Sequence, residues 1–176
     1  LQAAFDHKIL RHIDNSAGIE HFPERQMDMC RLGLGLYGID PRGNKTLNNV
    51  STLLTTILQL HRVPQGESIG YSRKTFLTRD SIIGAIPIGY ADGLDRRLSN
   101  RKGYCLVNGK RADYVGNICM DVAMIDVTDI PCKEGDSVEV FGPHLPITAL
   151  SDIMGTIPYE VLTGISNRVK RVYFQD

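Results

Sequence analysis

Three glycines, Gly33, Gly35 and Gly38, match the G-x-G-x-x-G spacing that brings backbone amides close to the pyrophosphate of a dinucleotide. That role requires a strand before the motif and a helix after it. Pro41 and Gly43 follow at once, so no helical period begins. The spacing therefore favours a glycine-bearing strand that closely approaches another group, rather than a nicotinamide or flavin site.

The cysteines are the other residues with distinctive chemistry. There are four, Cys30, Cys105, Cys119 and Cys132, and they are scattered along the chain. None belongs to a Cys-x-x-Cys pair or to a Cys/His cluster of the kind that binds zinc. The sequence therefore predicts no metal site, and it predicts buried, reduced thiols.

Length and composition limit the kinds of fold that could position such groups. The chain has 176 residues, about one domain, and a complete (β/α)₈ barrel takes roughly 250. The 20 basic residues balance the 20 acidic ones, which argues against a basic nucleic-acid-binding module. The longest apolar stretches, such as residues 81–90, are shorter than the roughly 20 residues of a membrane helix. No secretory signal opens the chain, and Leu1 stands where an initiator methionine would, which suggests a piece of a longer polypeptide.

The first part of the chain has the pattern of α/β structure. Residues 8–13 predict a short strand, residues 17–29 a helix and residues 32–39 an apolar, glycine-rich strand. A polar, turn-rich break follows at residues 41–45, and we place a domain boundary near Gly43.

Beyond the break, short runs rich in β-branched residues recur between turn signals. Such spacing predicts a β-barrel or sandwich. Asn108-Gly109 predicts a hairpin, because a type I′ turn needs positive φ at both central residues. The predicted strands are residues 53–63, 81–88, 104–107, 111–115, 122–127 and 137–141, with a closing strand at 169–174, and the predicted helices are 148–154 and 158–164.

Six segments, taken in order, resemble the carboxy-terminal part of the alanine racemase family. One such motif could occur by chance, but six in order and at matching spacing are specific. They are residues 12–17 (HIDNSA), 31–38 (RLGLGLYG), 70–71 (GY), 88–93 (IGYADG), 116–121 (GNICMD) and 156–160 (TIPYE).

The resemblance implies a fold and a cofactor. Members of this family have an amino-terminal (β/α)₈ barrel that holds pyridoxal 5′-phosphate (PLP), followed by a mostly β domain. Residues 1–43 would then be the last strand, helix and strand of the barrel, and residues 44–176 a Greek-key-like β-barrel domain. The fold class is accordingly mainly β.

Four residues are implied as ligands of the cofactor phosphate. They are Ser16, through its hydroxyl, Gly33 and Leu34, through their backbone amides, and Tyr159. A hydroxyl and free N–H groups suit a phosphate dianion. Ser16 could equally cap the helix that follows it, and both roles are compatible because a helix N-terminus also favours anions. Tyr159 could instead be a packing residue.

Arg31 matches the arginine that faces the pyridine nitrogen, and His12 matches the histidine that supports that arginine. A guanidinium stays protonated, so it donates a hydrogen bond without giving up a proton and leaves the ring a weaker electron sink than a pyridinium. His12 could otherwise be an ordinary barrel histidine whose ring is satisfied within the fold.

Tyr71 is the implied catalytic residue. In the family, the tyrosine of this segment reaches into the partner subunit's site and removes the α-proton of L-alanine held as a PLP aldimine, while the cofactor lysine serves the opposite face. A phenol normally titrates near pH 10, so neighbouring cations must favour the phenolate. Without the resemblance, Tyr71 would be a half-buried strand residue.

Three more residues are implied in substrate binding. Tyr90 and Arg96 would line the entrance, and the backbone amide of Met120 would help hold the substrate carboxylate, although its side chain could equally fill a core. Asp121 would brace the same loop. Where many members have arginine, this chain has Asn117, which changes the charge of the entrance.

The predicted function is that of an alanine racemase, acting as a cytoplasmic homodimer that supplies D-alanine for peptidoglycan. No lysine of the chain lies in the family's Val-x-Lys-Ala-Asn-Ala-Tyr-Gly pattern, so PLP would be bound covalently by a lysine outside this chain, and the 176 residues alone would be inactive. Two alternatives stay open: a fold-type III decarboxylase domain, and a non-catalytic β-barrel module for interaction or dimerisation in a multifunctional protein.

Overall fold

The structure is a computed structural model that describes residues 2–40, 43, 47–73 and 75–174. The chain divides into two compact units, Leu1–Ser51 and Thr52–Asp176. Most of the predicted break at residues 41–45 lies outside the described residues. The assignment of residues 1–43 and 44–176 to two functional domains stays a prediction.

Regular structure is sparse in the first unit and dense in the second. The α-helices are α1 (Ser16–His21), α2 (Ile147–Met154) and α3 (Pro158–Gly164), and 3₁₀ helices span Gln2–Ala4, Pro23–Arg25, Leu34–Tyr37, Tyr71–Arg73 and Arg96–Leu98. The strands are β1 (Leu53–Thr56), β2 (Gln59–Val63), β3 (Ser68–Ile69), β4 (Thr75–Phe76), β5 (Ser81–Ile86), β6 (Tyr104–Val107), β7 (Lys110–Val115), β8 (Ala123–Asp126) and β9 (Ser137–Phe141).

The predicted strand, helix and strand of the first unit are replaced by a short helix between irregular segments. Residues 8–13 and 32–39 form no strand, because a strand requires a ladder partner. Among the described residues, two backbone hydrogen bonds join the segments on either side of α1, Asp28 N to Arg11 O and Arg31 N to Asp14 O. The predicted helix 17–29 ends at His21, two residues before Pro23. A proline disfavours the helical conformation of the residue before it.

The second unit is a curled antiparallel sheet of seven strands in the order β1-β9-β6-β7-β8-β5-β2. Its two edge strands, β1 and β2, are consecutive in the chain, and the amides at the bend between them reach both ends of the sheet, Ile57 N bonding Asp136 O and Leu58 N bonding Ala85 O. The mainly β fold class is confirmed. The single predicted strand 53–63 is divided at this bend.

Alternation along the strands builds the core. Successive residues of β6 and β8 alternate between full and partial burial, as expected when one face of a sheet is covered. The predicted hairpin is present, with Asn108 and Gly109 both at positive φ and Val107 paired with Lys110. In α2, buried residues recur at Ile147, Leu150, Ser151 and Met154, the spacing of one helical face.

Two features of the second unit differ from the predictions. Residues 169–174 form no strand, because β propensity needs a partner and the last of these side chains, Val172, Tyr173 and Phe174, are exposed. The short hairpin of β3 and β4 was not predicted, since two residues are too few to show a period. Across the described part of the chain, no helix is both long and apolar enough to cross a bilayer.

Candidate active site

In the first unit, the hydroxyl of Ser16 meets the glycine motif. Ser16 Oγ accepts hydrogen bonds from Gly33 N at 2.7 Å and Gly35 N at 3.4 Å. The side chain is buried, and its own O–H proton has no acceptor among the described residues. The cluster thus offers a buried hydroxyl that can still donate one hydrogen bond, which suits an anion.

Two details of this cluster correct the sequence analysis. Asn15, not Ser16, caps α1, and its side chain accepts from Gly18 N. The motif forms a 3₁₀ helix, Leu34–Tyr37, in place of a strand. The predicted close approach is confirmed at Gly38, where an added Cβ would lie 2.0 Å from Asn48 O.

Arg31 lies in the same unit and is exposed. Its guanidinium donates to the carbonyl oxygen of Ile13 at 3.0 Å, and its backbone amide donates to Asp14 O at 2.9 Å. His12 is also exposed. The carbonyl oxygen that accepts from this guanidinium therefore belongs to Ile13, the residue after His12. The supporting role of the histidine ring stays a prediction.

In the second unit, Tyr71 lies in the tight turn between β3 and β4. Its side chain is 75% exposed, so it is not the half-buried strand residue considered above. The turn is strained, because Ser72 and Arg73 have positive φ, which non-glycine residues rarely adopt, whereas Gly70 takes its positive φ freely. Arg73 Nε donates to Ser68 Oγ at 3.1 Å and closes the turn. A strained turn with an exposed phenol must be held by its neighbours.

The neighbour is the segment of residues 116–121, which we name the 116–121 loop. Gly116 has φ +71, and a Cβ built on it would lie 2.8 Å from Ile69 O, so only glycine allows the two backbones to come this close. Next to it, Asn117 Nδ2 donates to Tyr71 O at 3.4 Å. The loop therefore contacts the Tyr71 turn through backbone and side chain.

The same loop carries Met120 and holds Tyr90. Tyr90 N donates to Cys119 O and Ala91 N to Met120 O, each at 3.0 Å. A Cβ on Gly89 would lie 2.3 Å from both of those carbonyl oxygens. Met120 is 53% exposed, which excludes a core-filling side chain, and its amide has no acceptor among the described residues. A free N–H on a fixed loop can bind a carboxylate.

Arg168 joins the Tyr90 segment to the 116–121 loop through its side chain. Its guanidinium donates to Asp92 at 2.6 Å and to Asp121 at 2.5 Å, while Asp92 also accepts from Gly89 N at 2.9 Å. The hydrogen bond from Arg168 lowers the pKa of Asp92. One arginine therefore ties the Tyr90 segment to the 116–121 loop, and Asp121 does brace that loop.

Tyr90 and Arg96 face each other across an open depression. The Arg96 guanidinium carbon lies 6.0 Å from the centre of the Tyr90 ring, a cation–π distance. The depression measures about 370 Å³ and is lined by both residues together with Asp95 and Glu160. Met154 and Val161 also line it, so its wall is of mixed polarity and open to solvent.

Arg97 connects the wall of this depression to the helix of Tyr159. It bridges Asp95 at 2.9 Å and Glu160 at 2.7 Å. Hydrogen bonds from Thr156 and Arg97 lower the pKa of Glu160. Tyr159 lies at the start of α3, where its carbonyl accepts from Thr163 Oγ1 at 2.8 Å.

Sequence reasoning missed two residues and one contact that hold the site together. Asn100 and Arg168 contact the predicted functional segments from far along the chain, and Asn117, named above only for the charge of the entrance, donates to Tyr71 O. Asparagine tolerates the left-handed φ that Asn100 adopts, so its residue type was a local signal that could have been used, whereas Arg168 had none. The four cysteines are free but only Cys105 is buried, and no acidic, His or Cys cluster among the described residues could hold a metal.

Known proteins are similar to this chain in both sequence and fold. The family described as alanine racemase, C-terminal domain, matches residues 50–173. Alanine racemase 1 of Clostridium acetobutylicum is 41% identical over 95% of this chain and 46% of its own length. The chain spans about half the length of such relatives.

Solved structures agree with the sequence comparison. An alanine racemase from Bartonella henselae with covalently bound pyridoxal phosphate has a TM-score of 0.90 and 37% identity over 96% of this chain and 48% of its own. One from Bacillus anthracis with bound L-Ala-P has a TM-score of 0.90 and 30% identity over 99% of this chain and 47% of its own. The fold is thus that of the carboxy-terminal part of these isomerases. The chain belongs to the alanine racemase C-terminal domain family.

Proposed function

We propose that this chain is part of an alanine racemase that interconverts L- and D-alanine with PLP. One observation carries the proposal: the 116–121 loop contacts the turn of the exposed Tyr71, contains the free Met120 amide and bonds the Tyr90 segment. The relatives are alanine racemases, which favours racemisation over decarboxylation.

The first unit has groups that fit the cofactor phosphate. Ser16 Oγ accepts from two amides, and its proton is left to donate to an anion. We propose that Ser16 holds the phosphate together with Leu34 and with the Gly33 amide, which now donates to Ser16 Oγ, that Tyr159 adds a further ligand, and that Arg31 donates to the pyridine nitrogen. PLP, when bound, withdraws electrons from the α-carbon of the amino acid and makes its α-proton acidic.

Inversion needs a base on each face of the α-carbon. We propose that the Tyr71 phenol oxygen removes the proton on the L face and returns it in the reverse direction, and that a lysine outside these 176 residues serves the D face. The amide of Met120 binds the substrate carboxylate and orients the α-carbon toward the phenol. Tyr90 and Arg96 line the entrance and limit the access of water.

The exposure of Tyr71 supports a site completed between subunits. A strained turn costs about 1–3 kcal/mol for each residue in a sparsely populated conformation. Such turns cluster at functional sites, so the strain here supports a functional role for the Tyr71 side chain. Because Tyr71 is 75% exposed, its phenol is available to act outside its own unit. We propose that Tyr71 enters the site of a second copy in a homodimer.

The remaining parts of the proposal concern the whole protein. We propose that residues 1–43 complete a PLP-binding barrel, that residues 44–176 form the β domain, and that the enzyme provides D-alanine for peptidoglycan in the cytoplasm. No lysine here lies in the family's lysine pattern, so residues 1–176 alone should neither bind PLP covalently nor racemise alanine. A borohydride-sensitive absorption band of PLP bound to those residues alone would contradict this.

The test is Tyr71→Phe in the full-length enzyme. Because enantiomers have equal free energies, net racemisation must slow equally in both directions, so the informative measurement is exchange of the α-hydrogen in D₂O without inversion. We expect exchange from L-alanine to fall by at least about 100-fold, the usual contribution of a positioned base, and exchange from D-alanine to fall far less. Tyr173→Phe, at an exposed tyrosine remote from these loops in sequence, is the matched control. Equal losses for both enantiomers would refute the assignment of Tyr71 as the base.

A further inference from the structure

A directed chain of hydrogen bonds runs from β4 to the Tyr71 turn. Thr75 Oγ1 donates to Asn100 Oδ1 at 2.7 Å, and Asn100 Nδ2 donates to Asn117 Oδ1 at 3.0 Å. Asn117 Nδ2 then donates to Tyr71 O at 3.4 Å, a long and therefore weak bond. Each amide accepts at one end and donates at the other, an arrangement in which hydrogen bonds strengthen one another. We name the side chains of Thr75, Asn100 and Asn117 the amide relay.

The backbone holds the amide relay in place. Asn100 N donates to Gly116 O at 2.9 Å, and Asn100 and Arg101 both have positive φ. Asparagine tolerates this conformation better than most residues because its short polar side chain can bond locally. The relay therefore rests on a second strained turn, which faces the one that presents Tyr71.

The relay is specific to the side chains present here. It needs an amide at position 117, because that residue must accept from Asn100 and donate to Tyr71 at the same time. A guanidinium at this position would have donors only and could not accept. Asn117 is thus a neutral link between two turns.

We propose that Thr75, Asn100 and Asn117 are positioning residues that hold the Tyr71 phenol against the L face of the substrate. This inference rests on the proposed function. Its consequence is stereochemical: weakening the relay should impair proton removal from L-alanine and leave the D face, which another residue serves, nearly unaffected. A residue that merely stabilised the fold would impair both faces alike.

The decisive comparison is Thr75→Val against Thr75→Ser in the full-length holoenzyme. Valine keeps the shape of threonine and removes the hydroxyl that starts the relay, whereas serine keeps the hydroxyl. We expect Thr75→Val to lower D₂O exchange into L-alanine by roughly 3- to 10-fold relative to D-alanine, the fold-change that corresponds to one hydrogen bond. Thr75→Ser should stay within about 2-fold of the parent enzyme.

Asn117→Asp provides an independent variant, because aspartate keeps the acceptor for Asn100 and loses the donor to Tyr71. Its matched control is Asn108→Asp, whose amide donates instead to Pro131 O and Asp136 at the hairpin end of β6. We expect the L-to-D ratio of exchange to fall only for Asn117→Asp. If that variant does not fold, the Thr75 pair decides the question.

Hydrogen–deuterium exchange of the cofactor-free protein supplies a readout besides activity. Thr75→Val should speed amide exchange several-fold in a peptide over residues 68–76 and leave a peptide over residues 104–115 unchanged. Unchanged exchange at 68–76, or equal losses for both alanine enantiomers, would overturn the inference. If Tyr71→Phe itself shows no preference for L-alanine, the proposed base fails instead, so the two failures are distinguishable.

Discussion

The contact between Gly116 and Ile69 O allows a prediction with an internal control. Gly109 and Gly116 flank β7, and they have nearly equal φ values of +73 and +71. An alanine at either position adopts a left-handed backbone, at a cost of about 1–2 kcal/mol. The two differ in surroundings: a Cβ at position 109 meets nothing within 4 Å, whereas one at position 116 meets Ile69 O at 2.8 Å.

The overlap sets the expected size of the difference. Ordinary contact begins at 3.4 Å, so Ile69 must recede by about 0.6 Å to accommodate the new methyl group. Forcing an extra methyl group into a packed site costs about 1–3 kcal/mol beyond the backbone term. We expect Gly116→Ala to be less stable than Gly109→Ala by that amount. We also expect the displaced strand β3 to move the Tyr71 turn with it.

Two assays on the full-length enzyme check this reasoning. Urea unfolding of each variant gives the difference in the free energy of unfolding, and D₂O exchange gives the ratio of α-hydrogen loss from L- and D-alanine. Gly116→Ala should lower both, and Gly109→Ala should lower stability alone. Equal stabilities for the two variants, or an unchanged L-to-D ratio in Gly116→Ala, would refute the claim that this contact sets the position of Tyr71.

Three further predictions follow from single contacts. Gly89→Ala pushes against the carbonyl oxygens of Cys119 and Met120, so it should raise the KM for alanine several-fold; an unchanged KM would contradict the role of that loop. Arg168→Gln should destabilise the protein measurably at pH 7, because Asp92 loses its partner. Arg168 lowers the pKa of Asp92, so this stabilisation is complete above the unfolded value of about 3.9 and disappears as the pH falls through the lower folded value. Urea unfolding from pH 7 to pH 2 should therefore show the gap between variant and parent closing below about pH 4, and a constant gap would argue against the ion pair. Tyr114→Phe should be neutral or stabilise by up to about 1 kcal/mol in thermal unfolding, because the only partner of the fully buried hydroxyl among the described residues is the Cys105 thiol, a weak hydrogen-bonding group; a clear loss of stability would contradict this.

The sequence by itself determined the elements whose signals are local. β6 and β9 match their predicted bounds, and α3 does as well, because strand alternation and a proline at the first helical turn are legible within a few residues. The Asn108-Gly109 turn was predicted for the same reason, since its conformation depends on two adjacent residues.

Only the tertiary structure decided what holds the candidate site together. Asn117 reaches Tyr71 across 46 positions, and Arg168 reaches Asp92 across 76. Such contacts leave no period in the sequence, because they depend on which strands become neighbours in a curled sheet. The failed strands at 8–13 and 169–174 show the same dependence: a β-branched or apolar run becomes a strand only when another chain segment supplies its hydrogen bonds.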